Sequence, residues 1–363
     1  MRVAAIDCGT NSLRLLVADV DPAAGTLTDV DRRMEIVRLG QGVDATGRLA
    51  PAALARTLRA LRSYEEIVEA AGASAVRMVA TSATRDAANA ADFVAGVREV
   101  LRVDPEVLSG DEEARLSFTG ATTELAAAAR PGADGEAADG GGADGGGADG
   151  GGADRAGESG EGESGEGEGS GLAAAGPAAP PYLVADIGGG STEFVLGDPP
   201  VVSGAVSVDI GCVRMTERHL RGDPPAPAEV AAARADIGAA LDVVATKIAV
   251  TDARTLVGLA GSVTTVAALA LGLEAYDPGL IHHARIGVGA VREQTARLLA
   301  MPQTERARLG VMHPGRVDVI GGGALVLEAI MTRFGFTEVL ASEHDILDGI
   351  AWSLVLGGSS APA

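Results

Sequence analysis

Two stretches far apart in the chain repeat one design, and no other feature limits the possible fold as strongly. A hydrophobic run, Val3–Asp7, ends in Asp7-Cys8-Gly9-Thr10-Asn11-Ser12 and is followed by a second run, Leu13–Val17. Tyr182–Asp186 ends in Asp186-Ile187-Gly188-Gly189-Gly190-Ser191 and is followed by Thr192–Leu196. Each copy reads as strand, glycine-bearing turn, strand. An internal repeat of a whole supersecondary unit implies two related halves. A matched turn in each half implies a cleft between them.

The turn composition points to phosphate chemistry. Glycine admits close approach of a ligand and allows positive φ. Consecutive free amides in such a turn form an anion-binding concavity. An aspartate at the strand end can hold a hard cation, and carboxylates suit Mg²⁺, which shares phosphate oxygens. The chain has no Gly-Lys-Ser/Thr Walker loop and no Gly-Xaa-Gly-Xaa-Xaa-Gly in a strand-to-helix context, so neither a P-loop nor a dinucleotide fold accounts for the pattern.

The intervening sequence supplies α/β elements. In the first half, helical spacing is expected over Pro51–Ala71 and about Ala88–Val100. Strands are expected at Val76–Ala80 and Glu106–Leu108. A helix opens at Ser109-Gly110-Asp111-Glu112-Glu113 and runs to about Ala121. In the second half a strand is expected at Val201–Val208, with helices at Ala228–Val244 and Val263–Leu271. Val317–Ile320 reads as a strand feeding a helix from Ala324 to Arg333, and Asp345–Val355 as a final helix. The halves are therefore expected at 1–125, joined by a C-terminal helix at about 340–357, and at 181–335. Residues 131–180 between them hold Ala-Asp-Gly-Gly-Gly and Glu-Ser-Gly-Glu-Gly repeats. They offer little to bury and much backbone entropy to lose, so they read as a disordered acidic insert.

Charge narrows the partners. The net charge is −21, and residues 131–171 alone hold eleven acids and one arginine. A chain this acidic is a poor nucleic-acid binder, and only 2% aromatic residues leave few platforms for base stacking. A polyanion could be held only by local arginines together with a metal ion. No apolar stretch is long enough to span a bilayer, and the N-terminus does not read as a signal peptide, so no membrane association and a cytoplasmic location are expected. Cys8 and Cys212 have no ligand spacing. His282, His283, His313 and His344 fit no helical ligand pair and read as solvated or core side chains.

Six segments carry a family resemblance. Asp7–Val17 (DCGTNSLRLLV), Ala80–Arg85 (ATSATR), Leu108–Leu116 (LSGDEEARL) and Asp186–Glu193 (DIGGGSTE) resemble, in order, the signatures of the exopolyphosphatase/guanosine pentaphosphatase (Ppx/GppA) family. Gly258–Thr265 (GLAGSVTT) and Pro314–Ile320 (PGRVDVI) resemble its later motifs. The resemblance implies an α/β protein with two ribonuclease H-like domains of the actin–sugar kinase type around a cleft. It is similar to a short form without a C-terminal HD domain.

The same resemblance implies residue roles. Glu113 corresponds to the catalytic base. Asp186 and Glu193 correspond to carboxylates that position the metal, Mg²⁺ or Mn²⁺, or the attacking water, and Asp7, the matching strand-end aspartate of the first half, is a further metal candidate. Gly188, Gly189, Gly190 and Ser191 correspond to the phosphate loop, and Thr10, Asn11 and Ser12 to the loop facing it. Arg85 corresponds to a phosphate-contacting arginine and Arg316 to one that closes the site. The implied activity is release of terminal orthophosphate from inorganic polyphosphate, or of the 5′ phosphate from guanosine pentaphosphate, with homodimerisation an expectation of the same kind. A sugar kinase-like phosphotransferase and a non-catalytic alarmone-binding protein are the rivals from other classes.

Overall fold

The near-continuous hydrophobic run Arg2–Cys8 (β1) is what a strand covered on both faces requires, and every residue of it from Val3 onward is buried, Asp7 included. The computed structural model describes residues 1–128 and 178–356. The acidic insert expected over 131–180 lies, for all but its last three residues, outside the described residues. Around β1 a five-stranded sheet forms from Ser12–Asp21 (β2), Thr26–Ile36 (β3), Ala75–Ala80 (β4) and Glu106–Val107 (β5), in the order β3-β2-β1-β4-β5. β1, β2 and β3 are antiparallel, whereas β4 and β5 run parallel to β1.

The second sheet repeats this plan. Tyr182–Ile187 (β6), Thr192–Asp198 (β7) and Val201–Val208 (β8) are antiparallel neighbours. Thr255–Leu259 (β9) lies parallel to β6, and Glu338–Ala341 (β11) parallel to β9; the short Arg285–Gly287 (β10) closes that edge. The full order is β10-β11-β9-β6-β7-β8. Both halves thus have the ribonuclease H-like arrangement, and the duplication seen in the sequence is a duplication of fold.

Each sheet is covered on both faces. Helices Pro51–Ala71 and Ala90–Leu101 pack on one face of the first sheet through Leu61, Tyr64, Phe93 and Val97. The C-terminal helix Ile346–Leu356 covers the other through Ile346, Ile350 and Trp352. On the second sheet, helices Pro227–Lys247, Ala260–Ala270 and Ile320–Phe334 form the larger core. Helix Gly110–Ala128 covers its opposite face through Ala114, Phe118 and Leu125. That helix follows the first sheet in the chain but packs on the second, while the C-terminal helix follows the second and packs on the first. The two cross where Gly120 meets the Asp345 carbonyl and Gly349 meets the Leu116 carbonyl, contacts too close for any Cβ. No helix of the described residues is long and apolar enough to cross a membrane.

Two local expectations differ from the structure. β3 had no counterpart in the hydrophobic pattern, because it is a mostly exposed edge strand rich in charge (TLTDVDRRMEI), the composition edge strands use against further pairing. Val317–Ile320 is not a strand: Pro314–Arg316 forms a 3₁₀ turn and the helix begins at Ile320. A short apolar run cannot be told from a buried helical segment by periodicity. Here Gly322 and Gly323 lie within that helix, in close contact with Cys212 and Ser262, so they are packing glycines.

Candidate active site

The β1–β2 and β6–β7 turns face each other across a cleft that encloses about 480 Å³. The glycines there serve close approach. None of Gly9, Gly188, Gly189 and Gly190 has positive φ, contrary to one of the two uses expected for them. A Cβ on Gly189 would stand 2.9 Å from Cβ of Thr10, and one on Gly190 would stand 2.7 Å from Oγ of Ser82 and 2.8 Å from Oγ1 of Thr10. The hairpins can approach this far only without side chains at those positions. Among the described residues, the amides of Thr10, Asn11, Gly189, Gly190 and Ser191 have no hydrogen-bond acceptor, so both turns present donors suited to an anion.

The ladder registers set the electrostatics. Asp7 at the end of β1 pairs across the strands with Arg14, and Asp186 at the end of β6 pairs with Glu193. Arg14 Nη2 donates to Asp7 Oδ2 at 2.7 Å, and the same guanidinium ion-pairs with Asp345 just before the C-terminal helix. The first hairpin is therefore internally neutralised. The second sets two buried acids side by side, a destabilising cross-strand pair unless something offsets it. Ser117 donates to Asp186 at 2.7 Å and Ser207 to Glu193 at 2.6 Å. These bonds are insufficient to offset burial. Burial, with Asp345 nearby, pushes the Asp186 carboxyl up to about 6, and burial with Asp186 pushes Glu193 up to about 7.

Glu113 reaches the same cleft from the first turn of helix Gly110–Ala128. Its carboxyl is held well above the usual carboxylate range by burial and then by Glu193, with Arg85 pulling the other way. Arg85 Nη1 donates to Glu113 Oε2 and to the Leu108 carbonyl, both at 3.0 Å. Glu112, the neighbouring acid, turns outward and caps the helix by accepting from the Ser109 amide at 2.9 Å and its hydroxyl at 2.7 Å.

The expected residues therefore occupy two layers. Asp7, Thr10, Asn11, Ser12, Glu113, Asp186, Gly188, Gly189, Ser191 and Arg316 border the cleft. Arg85, Gly190 and Glu193 stand behind it: Arg85 against Glu113, Gly190 against Thr10 and Ser82, and Glu193 buried beneath Ser207. Arg316 lies over Gly261 at the start of helix Ala260–Ala270, with Nη1 3.3 Å from Oγ1 of Thr265. Arg14, Ser117 and Asp345 were given no role by sequence reasoning, although Arg14 and Glu193 each stand seven residues after their aspartates. That shared offset was a usable signal.

The carboxylates fit a divalent cation. Asp7 Oδ1 is fully buried and has no hydrogen-bond partner among the described residues. Asp186 and Glu193 are buried acids facing each other across one ladder. An all-oxygen, hard donor set of this kind suits Mg²⁺ or Mn²⁺.

Comparison with known proteins agrees with this geometry. The family model described as the Ppx/GppA phosphatase family matches residues 16–142 and 160–357. A Mycobacterium tuberculosis protein named exopolyphosphatase 2 is 45% identical over 364 residues, covering 97% of this chain and 98% of its own length. The crystal structure of an exopolyphosphatase-like protein superposes with a TM-score of 0.79 at 35% identity, covering 98% of both chains. An Aeromonas salmonicida guanosine-5′-triphosphate,3′-diphosphate pyrophosphatase is 26% identical over 97% of this chain and 59% of its own length. With two duplicated halves facing across a carboxylate-lined cleft, the chain belongs to the Ppx/GppA phosphatase family.

Proposed function

We propose that this chain is an exopolyphosphatase that releases terminal orthophosphate from inorganic polyphosphate by in-line attack of water. The observation that carries the reading is the acid pair Asp186–Glu193 beside Glu113 and Asp7, set under two turns whose amides have no acceptor among the described residues. Donors for phosphate oxygens and carboxylates for a cation are complementary parts of a phosphoryl-transfer site, which works by positioning and charge neutralisation.

Asp7 and Asp186 would hold Mg²⁺ or Mn²⁺ from the cleft wall, with Glu193 supporting them from behind. A cation there would supply positive charge against the phosphate oxygens. The amides of Gly189, Gly190, Thr10 and Asn11, with the side chains of Ser12 and Ser191, would bind and orient the terminal phosphate. Arg316 would hold the next phosphate of the chain. Glu113 would take one proton from the attacking water as its oxygen bonds to phosphorus. The bridging P–O bond breaks, and the shortened chain leaves with the bond electrons on its terminal oxygen. A raised Glu113 pKa brings the base closer to the operating pH, where proton transfer is most effective. Arg85 acts by positioning Glu113.

The likeness to the Aeromonas protein makes guanosine pentaphosphate the second candidate substrate. Tyr276 is the only Phe, Tyr or Trp bordering the cleft among the described residues, and its hydroxyl is committed to Thr264 at 2.7 Å and Glu343 at 2.6 Å. Little is therefore offered to a guanine ring. A cytoplasmic location and a homodimer belong to this same reading. The test is phosphate release from short polyphosphate, long polyphosphate and guanosine pentaphosphate, each with and without Mg²⁺. Cation-dependent release from polyphosphate is expected. Absence of release from all three removes the proposal.

A further inference from the structure

Outside the cleft, the fold brings the adjacent pair His282-His283 together with the distant His344. His282 and His283 follow a short helical turn, Pro278–Ile281, and their rings stack with centroids 3.7 Å apart. The His344 ring, from the loop before the C-terminal helix, lies 4.5 Å from that of His282. Glu124, half-exposed on helix Gly110–Ala128, points into the group: its Oε2 is 3.0 Å from His282 Nε2 and 3.2 Å from His344 Nδ1. The donor atoms of Glu124, His282 and His283 all lie within 4.8 Å of one another. The sequence expectation kept these histidines out of any metal set because their spacing along the chain is wrong for a helical pair; in the fold, two histidine-bearing segments and the helix that carries Glu124 meet at one place.

Two details distinguish this group from an ordinary polar contact. His283 is held at φ 62°, a conformation rare for residues with a side chain and one that tends to mark functional positions. Its Nε2 is buried and has no hydrogen-bond partner among the described residues. Such a nitrogen costs free energy as it stands. Burial lowers the pKa of both His282 and His283, against the pull of Glu124, and neutral imidazole is the form that ligates metals.

We propose that Glu124, His282 and His283, with His344 beside them, form a binding site for a divalent transition-metal ion of the Zn²⁺ class, separate from the carboxylate cleft. Imidazole donors select zinc-like ions, whereas the oxygen-only cleft selects Mg²⁺-like ions. Nδ1 of His282 accepts from the Glu343 amide at 3.2 Å, so its Nε2 carries the hydrogen and gives it to Glu124. A metal at Nε2 requires that hydrogen to move to Nδ1, which can then no longer accept from the Glu343 amide. Binding therefore opens the Glu343 contact, with no net loss of a proton from the ring, and acts on the loop that also carries Asp345.

The test is a Zn²⁺ titration by calorimetry of the untagged full-length chain, stripped of metal and then held in excess Mg²⁺, together with its thermal midpoint. One equivalent should bind and raise the midpoint. His283→Asn keeps a residue type that tolerates left-handed backbone and removes the buried nitrogen. Glu124→Gln changes only a half-exposed helical side chain. Each should weaken Zn²⁺ binding by about tenfold or more, in line with the sensitivity of metal sites to their ligand shells, and abolish the gain in midpoint while Mg²⁺-dependent phosphate release is unchanged. Absence of zinc binding, or the same titration in the parent and in the double variant, overturns the proposal.

Discussion

Replacing Glu113 with glutamine separates the chemical step from everything else the residue does. The carboxyl accepts one hydrogen bond from Arg85 at 3.0 Å, and Arg85 also holds the Leu108 carbonyl. A glutamine amide oxygen can keep the first bond and leaves the second untouched. It also removes a charge that burial and Glu193 both oppose. Folding stability should therefore change by no more than about 1 kcal/mol, the net worth of one hydrogen bond. The rate should not be spared. Loss of a general base costs roughly 10²–10⁴-fold, which is about 3–5 kcal/mol in the barrier at 1.36 kcal/mol per decade.

The assay is steady-state phosphate release from a defined polyphosphate, with kcat and KM measured from pH 5 to 9 and stability followed by urea unfolding. In the parent, kcat/KM should fall as pH drops through the raised Glu113 pKa, because the base must be unprotonated. The variant should lose that limb, with KM near the parent value. Glu112→Gln is the internal control. A glutamine there can still accept from the Ser109 amide, as a capping box allows, and should leave both stability and kcat close to the parent values. Phosphate release by Glu113→Gln within about threefold of the parent, far above what loss of a base allows, refutes the assignment of Glu113 as base.

The metal-free chain should lose stability as pH rises from about 4 to about 7. Asp186 at about 6 and Glu193 at about 7 bind protons more tightly folded than unfolded, so their contribution is complete below about pH 4 and lost above the raised values. At two pH units, the Asp186 share is about 3 kcal/mol; Asp186→Asn should remove it in urea titrations at each pH, and added Mg²⁺ should reverse the loss in the parent. Gly190→Ala drives a methyl toward Ser82 and Thr10 at under 3 Å and should cost about 1–3 kcal/mol as an overpacked contact, readable by chemical denaturation; a neutral outcome contradicts the close approach of the hairpins. Deleting residues 131–175 removes eleven acids and one arginine. Because that negative charge should repel long polyanions, its loss should shift preference toward longer polyphosphate at low salt and have little effect at high salt, where charge is screened; a chain-length profile unaltered at low salt refutes that role for the insert.

The duplicated hairpins were legible because their whole pattern is local: strand, glycine turn and strand lie within a dozen or so residues. Their charge asymmetry was equally local, yet Arg14 went without a role because the motif drew attention to the turn and away from the strand that returns from it. Choosing Glu113 over Glu112 rested on resemblance, and the reason for the difference emerges only in three dimensions, where Glu112 caps its own helix and Glu113 meets Arg85. β3 was invisible because an edge strand needs no hydrophobic alternation. The histidine group was invisible for another reason: Glu124, His282 and His344 come from three segments whose meeting depends on two helices and both sheets being in place.

The exchange of helices between the sheets has a consequence for how the molecule can be taken apart. A cut between Ala128 and Tyr182 severs the covalent link but divides nothing that could stand alone. The N-terminal fragment would leave Trp352's seat on the first sheet empty, and the C-terminal fragment would leave the Phe118 seat on the second empty. Co-expressed, the two pieces should find each other and reassemble; expressed singly, each should aggregate. The connection between those points is therefore free to lengthen, since the strapped helices and not the peptide bond keep the halves in register.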